Sequence, residues 1–282
     1  MNQGTYRRQD IPRYLIIPAA GLGTRMRTLS PDLPKELLSV GGKPAIQYAI
    51  EEGMAAGIEN IVIIISNQKE IIRQFFQDKH IAKKLYPLAS EGIEKINRTC
   101  ALTFLYQNKP SGESDAIGYA KDIAGNHVVA VMYPDNIYMP AGGALVTLLP
   151  VYRKYRTDVI ALNEVSEDIR HTIGNAGMVD ISAKEDDVYE ITRFLPKSDG
   201  PFRLRHKGEL RACGIYISSP FIFDYIERAR GMVKEGEFTD IYVRSLVLKE
   251  KGLLGCRLPG TVFDIGNPQG YRKCLAHVSP SL

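Results

Sequence analysis

The stretch that decides the fold reads Leu15-Ile16-Ile17-Pro18-Ala19-Ala20-Gly21-Leu22-Gly23-Thr24-Arg25-Met26. Its apolar run ends at Gly21, which is typical of a buried strand that enters a tight turn. Gly21 and Gly23 permit backbone conformations closed to other residues and let main-chain amides approach an anion. Arg25 adds a fixed positive charge. The stretch therefore predicts a strand followed by an anion-binding loop.

Two common phosphate-binding fingerprints do not fit this loop. A P-loop requires the pattern GxxxxGK[ST], which the stretch lacks. The dinucleotide fingerprint requires a third glycine at the position that Met26 occupies. The loop therefore belongs to another class of anion-binding site.

Outward from this loop, the chain alternates between strand and helix patterns. Ala45 to Gly57 shows helical spacing of apolar residues, and the β-branched run Ile61 to Ile65 is typical of a parallel strand covered on both faces. Further strands are predicted over residues 101–106, 127–133, 159–165, 177–181, 188–194 and 211–217, and further helices over 69–76, 221–229 and 239–250. We predict an α/β fold with a Rossmann-like mixed, mostly parallel sheet flanked by helices.

Composition excludes several classes of protein. The 282 residues carry 36 Lys and Arg against 32 Asp and Glu, and a net charge of +4 does not support a nucleic-acid or polybasic membrane partner. The four cysteines form no CxxC pair, so reduced thiols are expected. The longest apolar run falls far short of the ~20 residues that a membrane span needs. We expect a cytoplasmic protein.

The motifs that follow the loop connect it to a known family. They read Pro34-Lys35-Glu36-Leu37-Leu38, then Gly42-Lys43-Pro44-Ala45-Ile46-Gln47-Tyr48, then Ala55-Ala56-Gly57-Ile58. Together with the loop they resemble the opening of sugar-nucleotide pyrophosphorylases, and most closely that of bacterial UTP–glucose-1-phosphate uridylyltransferases. One departure is that the family's proline soon after the arginine is missing, since Arg27-Thr28-Leu29-Ser30-Pro31 stands there.

This resemblance implies a fold of the nucleotide-diphospho-sugar transferase type and a reaction. A pyrimidine nucleoside triphosphate, UTP or dTTP, would react with a sugar 1-phosphate to give an NDP-sugar and pyrophosphate. It also implies a single domain over residues 12–276, with a nucleotide-binding half (12–140) and an acceptor-binding half (141–276), after a tail over 1–11. A homodimer or homotetramer is expected on the same ground.

The resemblance assigns roles to the loop residues and to a lysine downstream. Ala20 and Gly21 would meet the base, while Gly23 and Thr24 would wrap the triphosphate. Arg25 and Lys35 would be the catalytic cations that neutralise phosphate charge. Because both reactants are anions, charge neutralisation and positioning are what such a reaction requires.

Base recognition is assigned to the segment that begins at Gln107. By resemblance, Gln107 would hydrogen-bond the Watson–Crick edge of a pyrimidine, and Gly112 would let the backbone approach the base. Glu113 and Ser114 depart from the family pattern. A glutamate at this point is expected to alter the base or ribose contact.

Two aspartates are candidate Mg²⁺ ligands. Asp135 follows the apolar run Val128 to Met132, and a carboxylate at the carboxyl end of a parallel strand points into the ligand crevice of an open α/β sheet. Asp264 stands in Val262-Phe263-Asp264-Ile265-Gly266-Asn267, which resembles the family's second metal motif. Two carboxylates plus substrate phosphates and water suit Mg²⁺.

The acceptor side departs most from the family. Gly177 resembles the family's glycine that makes a backbone contact to the acceptor. Phe194 and Leu195 replace a glutamate that binds sugar hydroxyls and a lysine that binds the sugar phosphate. Arg193, or the basic cluster over residues 203–207, is a candidate replacement for that lysine. These changes favour an acceptor other than ordinary glucose 1-phosphate.

Two alternatives remain open. One is a cytidylyl- or uridylyltransferase that acts on a non-sugar phosphate, a cyclitol phosphate or a phosphonate. The other is a catalytically silent, ligand-sensing subunit on the same fold. Such a subunit is expected to lose Arg25, Lys35, Asp135 or Asp264, and this chain keeps all of them.

Overall fold

The apolar runs of the sequence form the centre of one nine-stranded sheet. The computed structural model describes residues 11–278 except 89, 175–176, 197–199, 201 and 234–235. The expected tail over 1–11 thus lies outside the described residues apart from Ile11. Among the residues that are described, no helix is long and apolar enough to cross a membrane.

The strands are β1 (Tyr14–Pro18), β2 (Ser39–Val40), β3 (Lys43–Pro44), β4 (Asn60–Ile65), β5 (Ala101–Tyr106), β6 (Val129–Met132), β7 (Asn136–Met139), β8 (Val159–Glu164), β9 (Val179–Glu185), β10 (Val188–Phe194), β11 (Leu210–Ser218), β12 (Leu254–Arg257) and β13 (Thr261–Asp264). The helices are α1 (Ala45–Ala55), α2 (Glu70–Gln77), α3 (Lys79–Leu85), α4 (Ser90–Thr99), α5 (Glu113–Gly118), α6 (Lys121–Ala124), α7 (Ala144–Tyr155), α8 (Ile222–Arg230), α9 (Asp240–Lys251) and α10 (Pro268–Val278).

The order of strands in the main sheet is β5-β4-β1-β6-β11-β8-β12-β10-β9. β1 pairs in parallel with β4 and β6, and β4 pairs in parallel with β5. β11 is antiparallel to both β6 and β8, and β10 is antiparallel to both β9 and β12. β10 and β11 therefore run against the direction that the other strands share. The prediction of a mixed, mostly parallel sheet flanked by helices is confirmed.

Both faces of the sheet are covered because alternate residues of its central strands are apolar on each side. Leu15 and Ile17 of β1 pack on one face with residues of α1, α2, α4 and α7. Ile16 packs on the other face with residues of α5, α8 and α9. This double burial explains why β4 reads as the continuous apolar run Ile61–Ile65 and does not alternate with polar residues.

A second, two-stranded sheet places one edge of the candidate site. β13 pairs antiparallel with β7, and the register sets Asp264 opposite Asn136. The amide of Ile265 donates to the carbonyl of Asp135 over 2.8 Å. Residues at the carboxyl end of β6 are thus tied to a strand near the end of the chain.

A buried carboxylate joins two helices on one face of the sheet. Glu52 of α1 is 1% exposed and accepts four backbone N–H groups at the start of α7, from Gly142, Gly143, Ala144 and Leu145, over 2.6 to 3.2 Å. Burial raises the pKa of Glu52, and the four N–H donors oppose that rise. The carboxylate satisfies the amides that the first turn of a helix leaves without partners.

We predict that Glu52→Ala lowers the free energy of unfolding by about 3 kcal/mol or more, because it leaves the four buried amides without an acceptor. Urea unfolding followed by circular dichroism measures the change. The matched control is Glu94→Ala, which removes a surface glutamate paired with Lys79 at 3.2 Å and should cost less than about 1 kcal/mol. Equal losses in the two variants would contradict the role of Glu52.

Candidate active site

The glycine-rich loop follows β1 directly, and of its two glycines only Gly23 adopts a left-handed conformation. Ala20 is buried, and Gly23 has φ 60°, a left-handed conformation that favours glycine. The loop then forms a single 3₁₀ turn over Thr24–Met26. A methyl group placed on Gly23 would lie 3.8 Å from the side chain of Lys35, whereas one on Gly21 would meet nothing within 4 Å. The loop thus lies against Lys35 and leaves open space beside Gly21.

Four of the predicted residues converge beside Gly266. Lys35 forms an ion pair with Oδ2 of Asp135. A methyl group placed on Gly266 would lie 2.8 Å from Asp135 Oδ2, 3.1 Å from Asp264 Oδ1 and 3.5 Å from Arg25 Nη2. The two carboxylates and the two cations therefore surround one small space, and a side chain at position 266 would displace them.

Each aspartate is held in place by the backbone or side chains next to it. Asn136 donates its side-chain amide to Asp135 Oδ1 over 2.9 Å. Asp264 accepts the amide of Gly266 over 2.9 Å and the amide of Gly174 over 3.4 Å. These bonds fix the direction of both carboxylates before any ligand is bound.

The electrostatics keep the central pair charged. Burial alone would raise the pKa of Asp135, but Lys35 and Arg25 hold it below its ordinary range. Burial alone would lower the pKa of Lys35, but Asp135, Glu36 and Asp264 raise it above its ordinary value. Opposite charges near a titrating group favour its charged form, and here that effect outweighs burial.

The donor set is compatible with Mg²⁺. Asp135 and Asp264 direct carboxylate oxygens toward the same point, and oxygen ligands are what this hard cation prefers. No group of three or more His, Cys, Asp or Glu among the described residues could hold a metal by itself. A metal here would complete its shell with phosphate oxygens and water, which suits an ion that dehydrates reluctantly.

A buried ion pair that sequence reasoning missed supports the loop from below. Lys69 donates to both oxygens of Glu36 at 2.8 Å and to the carbonyl of Ala19 at 2.9 Å. Glu36 is 1% exposed and directly follows Lys35. The pair therefore joins the start of the loop to the backbone that carries Lys35. The motif Pro34-Lys35-Glu36 was visible in the sequence, but its partner lies 33 residues away.

The residues predicted to bind the base follow β1 and β5, the two strands that flank β4. The amide of Ala19 donates to the carbonyl of Ile64 and that of Gln107 to the carbonyl of Ile65, so both segments are tied to the end of β4. The side chain of Gln107 donates to Asp115 over 2.7 Å and to the carbonyl of Gly112 over 3.1 Å. Both donors of its amide nitrogen are thus occupied.

Gly112 is required by a close backbone contact. Its φ is 112°, and a methyl group there would lie 2.4 Å from the carbonyl oxygen of Phe238. Glu113, expected to alter the base or ribose contact, accepts the amide of Asp240 over 3.2 Å. Asp240 in turn bonds Tyr133 over 3.0 Å and Arg244 over 2.8 Å. Glu113 therefore makes a hydrogen bond at the start of α9, in addition to the expected contact with the base or ribose.

Acceptor-side residues separate into two groups. Gly177 has φ 79° and packs against β11, where a methyl group would lie 2.2 Å from the carbonyl oxygen of Ala212. Arg193 lies on β10, is 68% exposed and pairs with Asp180 over 2.7 Å. Arg205, from the predicted basic cluster, pairs with the same Asp180 and with Glu209, both over 2.6 Å. No contact among the described residues joins Arg193 to Arg25, Lys35 or the two aspartates.

We predict that Lys69→Met destabilises the fold by about 3 to 5 kcal/mol, because it leaves Glu36 charged and buried without a partner. The double variant Glu36→Leu with Lys69→Met should recover much of this loss, since it removes both charges. Equilibrium unfolding in urea measures all three proteins. A loss of less than about 1 kcal/mol of unfolding free energy in Lys69→Met would show that the pair does not hold the loop to the segment of Glu36.

Solved structures share this architecture over nearly the whole chain. A UDP-glucose pyrophosphorylase complexed with UDP-glucose matches with a TM-score of 0.78 and 25% identity, covering 95% of this chain and 98% of that chain. A UTP-bound UGPase from Acinetobacter baumannii matches with a TM-score of 0.78 and 23% identity, covering 96% of each chain.

Curated relatives agree in sequence. A UTP–glucose-1-phosphate uridylyltransferase of Staphylococcus epidermidis is 33% identical over 266 residues, 92% of this chain and 89% of the relative. One of Bacillus subtilis is 29% identical over 268 residues, 92% of this chain and 88% of the relative. The family model for nucleotidyl transferases matches residues 14–279. With the site geometry and these matches together, the chain belongs to the nucleotidyl transferase family.

Proposed function

We propose that this nucleotidyltransferase joins UTP or dTTP to a sugar 1-phosphate and releases pyrophosphate, giving an NDP-sugar. The observation that carries the proposal is the convergence of Arg25, Lys35, Asp135 and Asp264 on the space beside Gly266. Two cations and two carboxylates around one space suit a direct reaction between two phosphate anions. They suit a mechanism through a covalent enzyme intermediate less well.

In the proposed reaction an oxygen of the acceptor phosphate attacks the α-phosphorus of the triphosphate. A new P–O bond forms there, and the bond to the β-phosphate breaks, so pyrophosphate leaves with the bonding electron pair. Arg25 neutralises charge on the triphosphate, while the Gly23 and Thr24 segment of the loop offers backbone donors. Lys35 lies between the loop and Asp135, where it reduces the repulsion between the two anions.

Asp135 and Asp264 are the residues proposed to hold Mg²⁺. When bound, the ion would supply further neutralisation of phosphate charge. The protein's own part is to aim both carboxylates at one point, which the Asn136 and Gly266 hydrogen bonds do.

Base selection is proposed to rest on Gln107. Because Asp115 and the Gly112 carbonyl accept from its amide nitrogen, its oxygen is left to accept from a ligand. Uracil and thymine offer a ring N–H to such an acceptor, whereas the corresponding nitrogen of cytosine is itself an acceptor. This supports UTP or dTTP over CTP. Ala20 and Gly21 would complete the base contact.

A second candidate concerns the acceptor. Phe194 is half-buried and packs on the apolar cluster that contains Val179 and Ile191, so it offers no hydrogen bond to a sugar hydroxyl. This observation favours a non-sugar phosphate, a cyclitol phosphate or a phosphonate as the acceptor. Gly177 remains the proposed backbone contact, and Arg193 would contribute only after leaving Asp180.

A cytoplasmic location and a homodimer or homotetramer complete the proposal.

The proposed function is tested by measuring pyrophosphate release with Mg²⁺. The assay crosses UTP, dTTP, CTP and ATP with sugar 1-phosphates, cyclitol phosphates and phosphonates. Release with UTP or dTTP plus a sugar 1-phosphate supports the main proposal. Release only with CTP or a non-sugar acceptor supports the second candidate. Binding of a triphosphate by calorimetry without any release identifies a silent, ligand-sensing subunit.

We predict that Asp135→Asn and Asp264→Asn each lower kcat by at least about 100-fold, because each removes a charged oxygen from the reaction centre. The control is Asp168→Asn, which removes an exposed carboxylate paired with Lys273 over 3.1 Å and should leave kcat unchanged. Circular dichroism checks that all three variants are folded. Full activity in either Asp135→Asn or Asp264→Asn would refute the metal assignment.

A further inference from the structure

Arg211 is a buried cation of the acceptor half, and no ion pair joins it to any residue that the structure describes. It lies on β11 and is 6% exposed. Its Nη2 is buried and has no hydrogen-bond partner, and no carboxylate among the described residues lies within ion-pairing distance of it. A buried guanidinium nitrogen without an acceptor costs stability, so its presence calls for an explanation.

The neighbours of Arg211 across the sheet define its surroundings. Met178 lies opposite Arg211 in an antiparallel bridge, and the amide of Leu195 donates to the carbonyl of Met178 over 3.0 Å. On the other side, Arg211 is paired in register with Asn163. Residues directly opposite each other on adjacent strands share a face. Leu195, Met178, Arg211 and Asn163 therefore form one row on one face of the sheet.

This row lies beneath the strand that carries Asp264. Asn163 accepts the amide of Val262 over 3.1 Å and donates to the carbonyl of Gly260 over 2.8 Å, so β13 packs on the same face. Cys213 stands two residues after Arg211 and points to that face as well. Burial in this part of the core raises the pKa of the Cys213 thiol.

Most cations around the site are already paired. Lys35 is bound to Asp135, while Arg193 and Arg205 share Asp180. Arg205 also bonds Glu209 and the carbonyl of Val179. An acceptor phosphate would have to compete with these carboxylates for Arg193 or Arg205. Arg211 offers a guanidinium nitrogen for which no carboxylate competes.

We propose that Arg211 binds a phosphate oxygen of the acceptor, and so supplies the positive charge that Leu195 does not. The inference rests on the proposed function, because it assumes a phosphorylated acceptor beside Asp264 and Gly177. The planar guanidinium matches phosphate geometry, and a charge buried in advance loses little freedom on binding. Arg211 then sets the acceptor class: a monoester or phosphonate whose anionic group reaches under β13.

The test compares the full-length protein with Arg211→Leu. Calorimetry with inorganic phosphate and with glucose 1-phosphate measures binding directly, without turnover. We expect Arg211→Leu to weaken both ligands by about 10- to 100-fold, the effect of one charge-assisted hydrogen bond. Where the pyrophosphate assay gives turnover, KM for the acceptor should rise by a similar factor while KM for the triphosphate stays within twofold.

Thermal unfolding separates this role from a structural one. Removing an unpaired buried charge should leave the melting temperature of Arg211→Leu equal to or above that of the wild type. Adding Leu195→Lys to Arg211→Leu should restore part of the phosphate affinity, since the new lysine stands in the same row. The matched control, Arg257→Leu, removes an arginine paired with Glu164 over 2.6 Å and should change neither ligand's affinity.

Unchanged phosphate affinity in folded Arg211→Leu would overturn the inference, as would a wild type that binds neither probe. A lower melting temperature of Arg211→Leu, together with equal losses of affinity for acceptor and triphosphate, would also overturn it, because that result indicates a structural role. Failure of the proposed function looks different, because it would abolish pyrophosphate release in the wild type while leaving the Arg211-dependent binding of phosphate intact.

Discussion

The pairing of β13 with β7 is the interaction on which the rest of the site depends. It sets Asp264 opposite Asn136, and the Ile265 amide then bonds the Asp135 carbonyl. Two carboxylates held this close repel each other unless cations compensate. Lys35 and Arg25 supply that compensation from the other end of the chain. The site is therefore complete only when the segment that carries Arg25 and Lys35 and the strand β13 near the end of the chain have both folded.

Buried charged side chains with a full set of partners hold loops and helices in position in this protein. Glu52 and the pair of Glu36 with Lys69 are fully satisfied by backbone amides, a carbonyl and each other. Such groups fix the relative position of loops and helices, because any displacement would leave a charge unpaired in a low-dielectric interior. The loop that follows β1 is held in this way by Lys69, which contacts the Ala19 carbonyl.

The strand β4 and the turn after β1 could be predicted from the sequence because their determinants are local. The run Ile61–Ile65 is apolar throughout since β4 is covered on both faces, and the turn after β1 needs glycine at position 23, where φ is 60°. Helix α7 was not predicted, since its cap is Glu52, a residue far away in the sequence. The pairing of Glu36 with Lys69 was not predicted either, because the two residues are 33 positions apart in the sequence.

Side-chain pairing in the acceptor half could not be read from the sequence for a related reason. Arg193 and Arg205 appeared as candidate phosphate ligands, but the register of β9 with β10, which includes a shift between Ile191 and Arg193, sets Asp180 beside Arg193. The carboxylate at that position forms ion pairs with both arginines. Whether a cation is available to a substrate thus depends on strand register, which composition and motif spacing do not determine.

The departures from the family pattern gather where the fold tolerates them. The loop after β1 and Gln107 are both bound to β4 through the amides of Ala19 and Gln107, so a change there would disturb the parallel part of the sheet. Phe194 ends β10, which lies beside the edge strand β9, and packs on neighbouring apolar residues, while Leu195 directly follows the strand. At such a position a charge can be lost from one strand and gained on another without moving the backbone. The proposed reaction centre is therefore built from the loop after β1 and the ends of β6 and β13, whereas the proposed choice of acceptor rests on the end of β10 and on Arg211 of β11.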